Sequence, residues 1–140
     1  MILFCDSSAL VKLYLEESDS DTVRTQSAAS DMLAVCRISW VEFMSALARR
    51  VRERAHEAAA IATARQRFEA DWPHYFCLEL THELAELAGD YADTFALRAY
   101  NSVQLAAAEL ARRELPGELR FACFDARLTK AARVLGIEAA

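Results

Sequence analysis

Four short apolar runs, Ile2–Cys5, Met32–Cys36, Phe76–Leu80 and Phe121–Phe124, are spaced through the chain and separated by stretches patterned as helix. Runs this short suit buried strands and are too short for membrane spans. A strand that is apolar along its whole length must be covered on both faces. Such strands alternating with helices imply an α/β fold, with a parallel sheet between two helical layers.

The intervening stretches carry helix signals. Ser7–Glu17 places Leu10, Leu13 and Tyr14 at helical spacing. Ser18-Asp-Ser-Asp opens a second helix, to about Ser30. Ser39-Trp-Val-Glu42 reads as a capping box leading into Phe43, Met44, Leu47 and Val51. An Ala-rich segment from Ala55 to Ala70 ends at Pro73. Thr81 caps a helix to Phe95, and Asn101 caps one over Ser102–Glu114 that Pro116-Gly117 ends. Asp125 caps a last helix to Leu135, with Gly136 as its stop, and Ile137–Ala139 can form a short final strand. The order is β-α-α-β-α-α-β-α-α-β-α with an optional fifth strand. The expectation is one domain over residues 1–140, with three α/β/α layers and a central sheet of four or five strands.

Composition narrows the function. Only three Gly and two Pro are present, too few for a P-loop, a dinucleotide fingerprint or the many turns of an all-β protein. The 28 Ala favour helix. The first residues lack a basic n-region, and no apolar run is long enough for a membrane span, so a cytoplasmic protein is expected. Cys5, Cys36, Cys77 and Cys123 are far apart, each in a strand-like run, and read as buried free thiols. His56, His74 and His82 have no metal-ligand spacing. The net charge of −5 weighs slightly against a nucleic-acid partner.

Position singles out four polar residues. Asp6 follows the first strand and Asp125 the fourth; Glu42 lies one turn into the helix after the second strand; Asn101 opens the helix before the fourth. Ligands of open parallel sheets bind beyond the carboxyl ends of the strands. Three carboxylates and an amide gathered there form a hard-oxygen site suited to Mg²⁺ or Mn²⁺. Each residue has a local reading too: Asp6, Asn101 and Asp125 are good N-caps, and Glu42 is the partner of Ser39. Spacing leaves both readings open.

Four blocks then carry a family likeness. They are Asp6-Ser-Ser-Ala-Leu-Val-Lys-Leu-Tyr-Leu-Glu-Glu17, Ser39-Trp-Val-Glu-Phe-Met-Ser-Ala-Leu47, Leu97-Arg-Ala-Tyr-Asn-Ser-Val-Gln-Leu-Ala-Ala-Ala108, and the run from Phe121 to Gly136. In this order they resemble the PIN domain, specifically VapC-type toxins of bacterial toxin–antitoxin systems. The resemblance implies a PIN-like fold and a ribonuclease that uses Mg²⁺ or Mn²⁺. It carries the metal-holding cluster over to Asp6, Glu42, Asn101 and Asp125, with Ser8 as the hydroxyl residue of the opening motif. It also implies an RNA substrate, a VapB-like antitoxin partner and a homodimer. Two positions depart from the pattern. Asn101 stands where the family has Asp, and Cys123 where it has Thr or Ser. The first departure implies a weakened site, and the two together favour the alternative, a degenerate module that binds RNA or an antitoxin without cutting. An unrelated phosphotransfer or phosphatase domain ranks last, because Asp6-Ser-Ser lacks the second Asp of a D-x-D motif.

Of the 16 basic residues only Lys12 and Lys130 are lysines. Lys12, Arg37 and Arg98 lie near the candidate rim in sequence and are expected substrate contacts, together with Ser8. The Arg49–Arg54 run reads as a solvated helix surface paired with Glu53 and Glu57 in preference to an RNA-binding edge.

Overall fold

The structure, a computed structural model, describes all residues from Met1 to Ala140. Five strands, β1 (Ile2–Cys5), β2 (Met32–Cys36), β3 (Phe76–Leu78), β4 (Leu119–Ala122) and β5 (Glu138–Ala139), form one sheet in the order β3-β2-β1-β4-β5. Every pairing is parallel. Seven helices cover it: α1 (Ser7–Tyr14), α2 (Ser20–Ala29), α3 (Ile38–Glu53), α4 (Ala58–Asp71), α5 (His82–Phe95), α6 (Ala99–Glu114) and α7 (Ala126–Val134).

The alternation of side chains along β1 generates the two outer layers. Ile2 and Phe4 point to one core, where they meet Leu84 and Ala88 of α5, Leu105 of α6 and Leu128 of α7. Leu3 and Cys5 point to the other, with Leu10 of α1, Val23 of α2, Phe43 of α3 and Phe68 of α4. Ala106, Ala107, Ala108 and Ala111 of α6 are fully buried, their small side chains letting the helix lie close to its neighbours. In the second core Phe68 stacks on Phe43 with ring centroids 3.9 Å apart. No helix is long and apolar enough to cross a membrane.

The chain builds the sheet outward from β1 through β2 to β3, then crosses back to lay β4 on the other side of β1. The crevice between β1 and β4, beyond their carboxyl ends, is therefore the topological switch point where such sheets bind ligands.

Three local expectations are corrected. Helix α3 begins at Ile38 after Arg37, without a side-chain cap. Ser39 thus lies inside the first turn, and the capping box does not form. Helix α6 begins at Ala99 after an extended Arg98, so Asn101 lies within its first turn and caps nothing. Cys77 and Cys123 are only half-buried, Cys123 lying just past β4, whereas Cys5 and Cys36 are buried. The caps at Thr81 and Asp125 form as expected, and Gly136 closes α7 at a φ of 77°.

Candidate metal centre at the carboxyl ends of β1 and β4

Asp6 occupies the turn from β1 into α1. Its backbone N–H still donates to Ala122 of β4 at 3.2 Å, and its side chain caps the helix. Oδ1 accepts from the Ala9 N–H at 3.0 Å and from the Ser8 hydroxyl at 2.6 Å. The residue is only 5% exposed. Burial pushes its carboxyl above the usual range; hydrogen bonds from Ser8, Ala9 and Cys123 pull it down, and the nearby Glu42 charge pushes it up again, leaving it raised.

Asp125 repeats the device at β4. It caps α7 through Oδ1, which accepts from the Leu128 N–H at 2.9 Å. Its Oδ2 faces Asn101, whose Nδ2 lies 3.5 Å away, at the outer limit of a hydrogen bond. The two rims are stitched together because the Phe124 N–H donates to Ser8 Oγ at 3.3 Å. Cys123 lies between them, its thiol pushed up to about 12, first by burial and then by the Asp6 charge.

Glu42 comes from the β2 side. Its Oε1 accepts from Gln104 Nε2 of α6 at 2.9 Å, and the same amide nitrogen donates to Ser39 Oγ at 2.8 Å. Ser39 and Glu42, three residues apart on one helix face, are therefore gathered by an α6 side chain and not by their own helix terminus. Gln104 escaped the sequence reading. Its signal was one polar residue, a turn after Asn101, beside the small apolar stretch Leu105-Ala-Ala-Ala108.

None of the protein's ion pairs involves Asp6, Glu42 or Asp125. A buried carboxylate with an acidic neighbour and no basic one is an arrangement that a cation relieves. No three His, Cys, Asp or Glu side chains are close enough to enclose an ion by themselves. The oxygen donors suit a hard cation held through one or two carboxylates and its own waters, and do not form the closed set of a structural zinc site.

The remaining sequence candidates are distributed differently. The Ser8 hydroxyl is occupied by Asp6 and Phe124. Lys12 Nζ donates to Glu17 at 3.1 Å and to the Ser18 carbonyl at 2.8 Å, and it lies 4.8 Å from the Phe124 ring centroid. Arg37 is paired with Glu79. Arg98 is exposed and has no partner. Arg49, Arg50 and Arg54 pair with Glu53 and Glu57 as expected, and the half-buried Arg50 also pairs with Glu17, which was not expected. Beside Glu42 a groove of about 550 Å³ runs between Val11, Val41, Tyr100, Arg49 and Arg54. Val11 is the only α1 residue that lines it, and Leu10, Tyr14 and Leu15 are in the core.

Comparison with known proteins gives a consistent pattern. A PIN domain profile matches residues 3–134. Ribonuclease VapC45 of Mycobacterium tuberculosis (strain CDC 1551 / Oshkosh) is 32% identical over 139 residues, covering 99% of this chain and 94% of that protein. Ribonuclease VapC49 of Mycobacterium tuberculosis (strain ATCC 25618 / H37Rv) has the same identity and coverage. Among solved structures, FitAcB from Neisseria gonorrhoeae superposes with a TM-score of 0.69 at 16% identity, over 99% of this chain and 96% of that one. A toxin-antitoxin complex from Klebsiella pneumoniae gives 0.63 at 18% identity, over 89% and 87%.

Proposed function

The chain belongs to the PIN domain family and is related to VapC ribonucleases, and from that premise we propose that it is a divalent-metal-dependent ribonuclease hydrolysing RNA phosphodiester bonds. The observation that carries this reading is the rim of carboxylates without basic partners at the β1–β4 switch point. Asp6 would be the main anchor of the ion, with Glu42 and Asp125 orienting its bound waters and Asn101 as a weaker, neutral oxygen donor. A divalent ion bound there supplies a Lewis acid for a phosphoryl oxygen and acidifies water.

The chain's own groups do the rest. The two caps hold Asp6 and Asp125 by their Oδ1 atoms, leaving each Oδ2 uncommitted to its helix. Ser8 and the Ala9 N–H keep the Asp6 carboxylate in place, while its burial excludes water from that side. Arg98 offers an unpaired cation for a phosphate near Asn101, and Lys12 another only on releasing Glu17. By the same reading the chain has an antitoxin of the VapB type as partner, acts in the cytoplasm and forms a homodimer.

The test is cleavage of a single-stranded RNA pool by purified protein with Mn²⁺ or Mg²⁺. Cleavage that is abolished by EDTA and by Asp6→Ala supports the reading, and metal-independent cleavage overturns it. The contact of Asn101 with Asp125 favours a second reading, a module that binds RNA or an antitoxin without cutting, because an amide donor there replaces a negative ligand. Asn101→Asp separates them. Tighter Mn²⁺ binding and faster cleavage mark a weakened enzyme, and no cleavage by either form marks the binding module.

A further inference from the structure

Gln104 is 1% exposed, and its Oε1 is a buried side-chain polar atom without a hydrogen-bond partner. Buried polar atoms left unpaired destabilise a fold, and one in a native core calls for a reason. A leucine of similar size would remove the stranded oxygen, at the cost of the donor to the buried Ser39 hydroxyl, so Oε1 does not account for the amide. Its two N–H groups do account for it, since they reach Ser39 Oγ and Glu42 Oε1. Turning the amide over would set Oε1 against the Glu42 carboxylate, so the charge on Glu42 fixes the orientation and leaves Oε1 stranded.

We propose that Gln104 is a positioning residue that holds the Glu42 carboxylate in place for the ion at the β1–β4 crevice, an inference that rests on the reading of Glu42 as a ligand. A neutral amide suits the task. It fixes one carboxylate oxygen by hydrogen bonding without neutralising the charge, which Arg or Lys would do at the expense of the cation. The amide comes from α6, one turn after Asn101, so a single helix sets both Asn101 and the rotamer of Glu42. Outer-shell partners of this kind support metal affinity although they never touch the ion.

The experiment is a double-mutant cycle on the metal-free full chain, with Mn²⁺ affinity read by calorimetry and folding by thermal melting. Gln104→Leu is expected to weaken Mn²⁺ binding about ten-fold and to fold cooperatively with a modestly lower melting temperature, because the buried Ser39 hydroxyl loses its donor. Gln104→Met, which keeps the side-chain length, is expected to behave alike. In a Glu42→Ala background Gln104→Leu is expected to have no further effect on affinity. Unchanged affinity in Gln104→Leu, or an equal loss with and without Glu42, overturns the proposal. Failure of both Gln104 variants to fold overturns it as well, because the amide is then structural. If Glu42→Ala alone leaves Mn²⁺ binding unaltered, the ligand reading of Glu42 falls, and this inference with it.

Discussion

Replacing Asp6 by Asn should make the metal-free protein more stable at neutral pH. Both groups that bind the Asp6 side chain at known distances, Ala9 N–H and Ser8 hydroxyl, go to Oδ1, an atom that Asn retains, and Asn is as good an N-cap as Asp. What disappears is a buried negative charge, pushed up in pKa by burial and by Glu42. A carboxyl whose pKa is raised on folding binds its proton more tightly in the native state. Wild-type stability therefore falls as pH rises through the raised value, and the variant is free of that loss. Relieving a poorly compensated buried polar group is worth about 1–2 kcal/mol, or about 3–7 °C for a domain of this size.

Thermal melts in EDTA between pH 3 and 8 test the sign. The two proteins should converge below the ordinary Asp range of about 3.9 and separate above it, with Asp6→Asn the more stable. Saturating Mn²⁺ should reverse the order. At a hundred times its dissociation constant a ligand adds about 2.7 kcal/mol to the protein that binds it, whereas a variant binding about a hundred-fold more weakly gains only about 0.4 kcal/mol. If Asp6→Asn melts below wild type in EDTA at pH 7.5, the argument that this charge lacks compensation is wrong.

Other perturbations should be as direct. Phe68→Ala removes a fully buried ring packed on Phe43, Tyr14, Trp40 and Trp72 and should lower stability by about 3–5 kcal/mol in urea unfolding. Thr81→Ala deletes the oxygen that accepts from the Leu84 N–H at 3.2 Å and should cost about 1 kcal/mol by the same assay. Arg98→Ala should leave the melting temperature unchanged and reduce the salt dependence of RNA binding by about one phosphate contact; an unaltered salt slope removes Arg98 from the substrate path.

The layers were legible because β1 and β2 are apolar on both faces, and only burial on both sides tolerates that; β4 runs over Leu119–Ala122, two residues earlier than its apolar run, and carries Arg120. The end of β3 was not legible. Its run continues in sequence to Leu80, but β3 is the edge strand and pairs with β2 only as far as Leu78. The starts of α3 and α6 were misplaced for a related reason. Capping preference reads a few neighbouring residues, whereas Ser39 and Glu42 take their donor from Gln104, and the Arg37 N–H goes to the Leu78 carbonyl across the sheet. Residues 62 positions apart share one hydrogen bond at Glu42, and no local pattern records it.

The same geometry shows which of the four rim residues are caps, a choice that sequence left open. Asn101 and Glu42 cap nothing, so capping cannot explain either. Asp6 and Asp125 do cap their helices, yet each uses Oδ1 for the purpose. A carboxylate has two oxygens, so a residue at a strand-to-helix turn can terminate the helix with one and face the crevice with the other. On the proposed metal reading capping has a functional consequence: it orders the side chain before a cation arrives. A substitution that removes the cap oxygen should therefore weaken metal binding as well as the helix, and Asp→Asn at either position should keep the helix and lose the metal. Equal effects of Asp125→Ala and Asp125→Asn on both melting temperature and Mn²⁺ affinity would break that division of labour between the two oxygens.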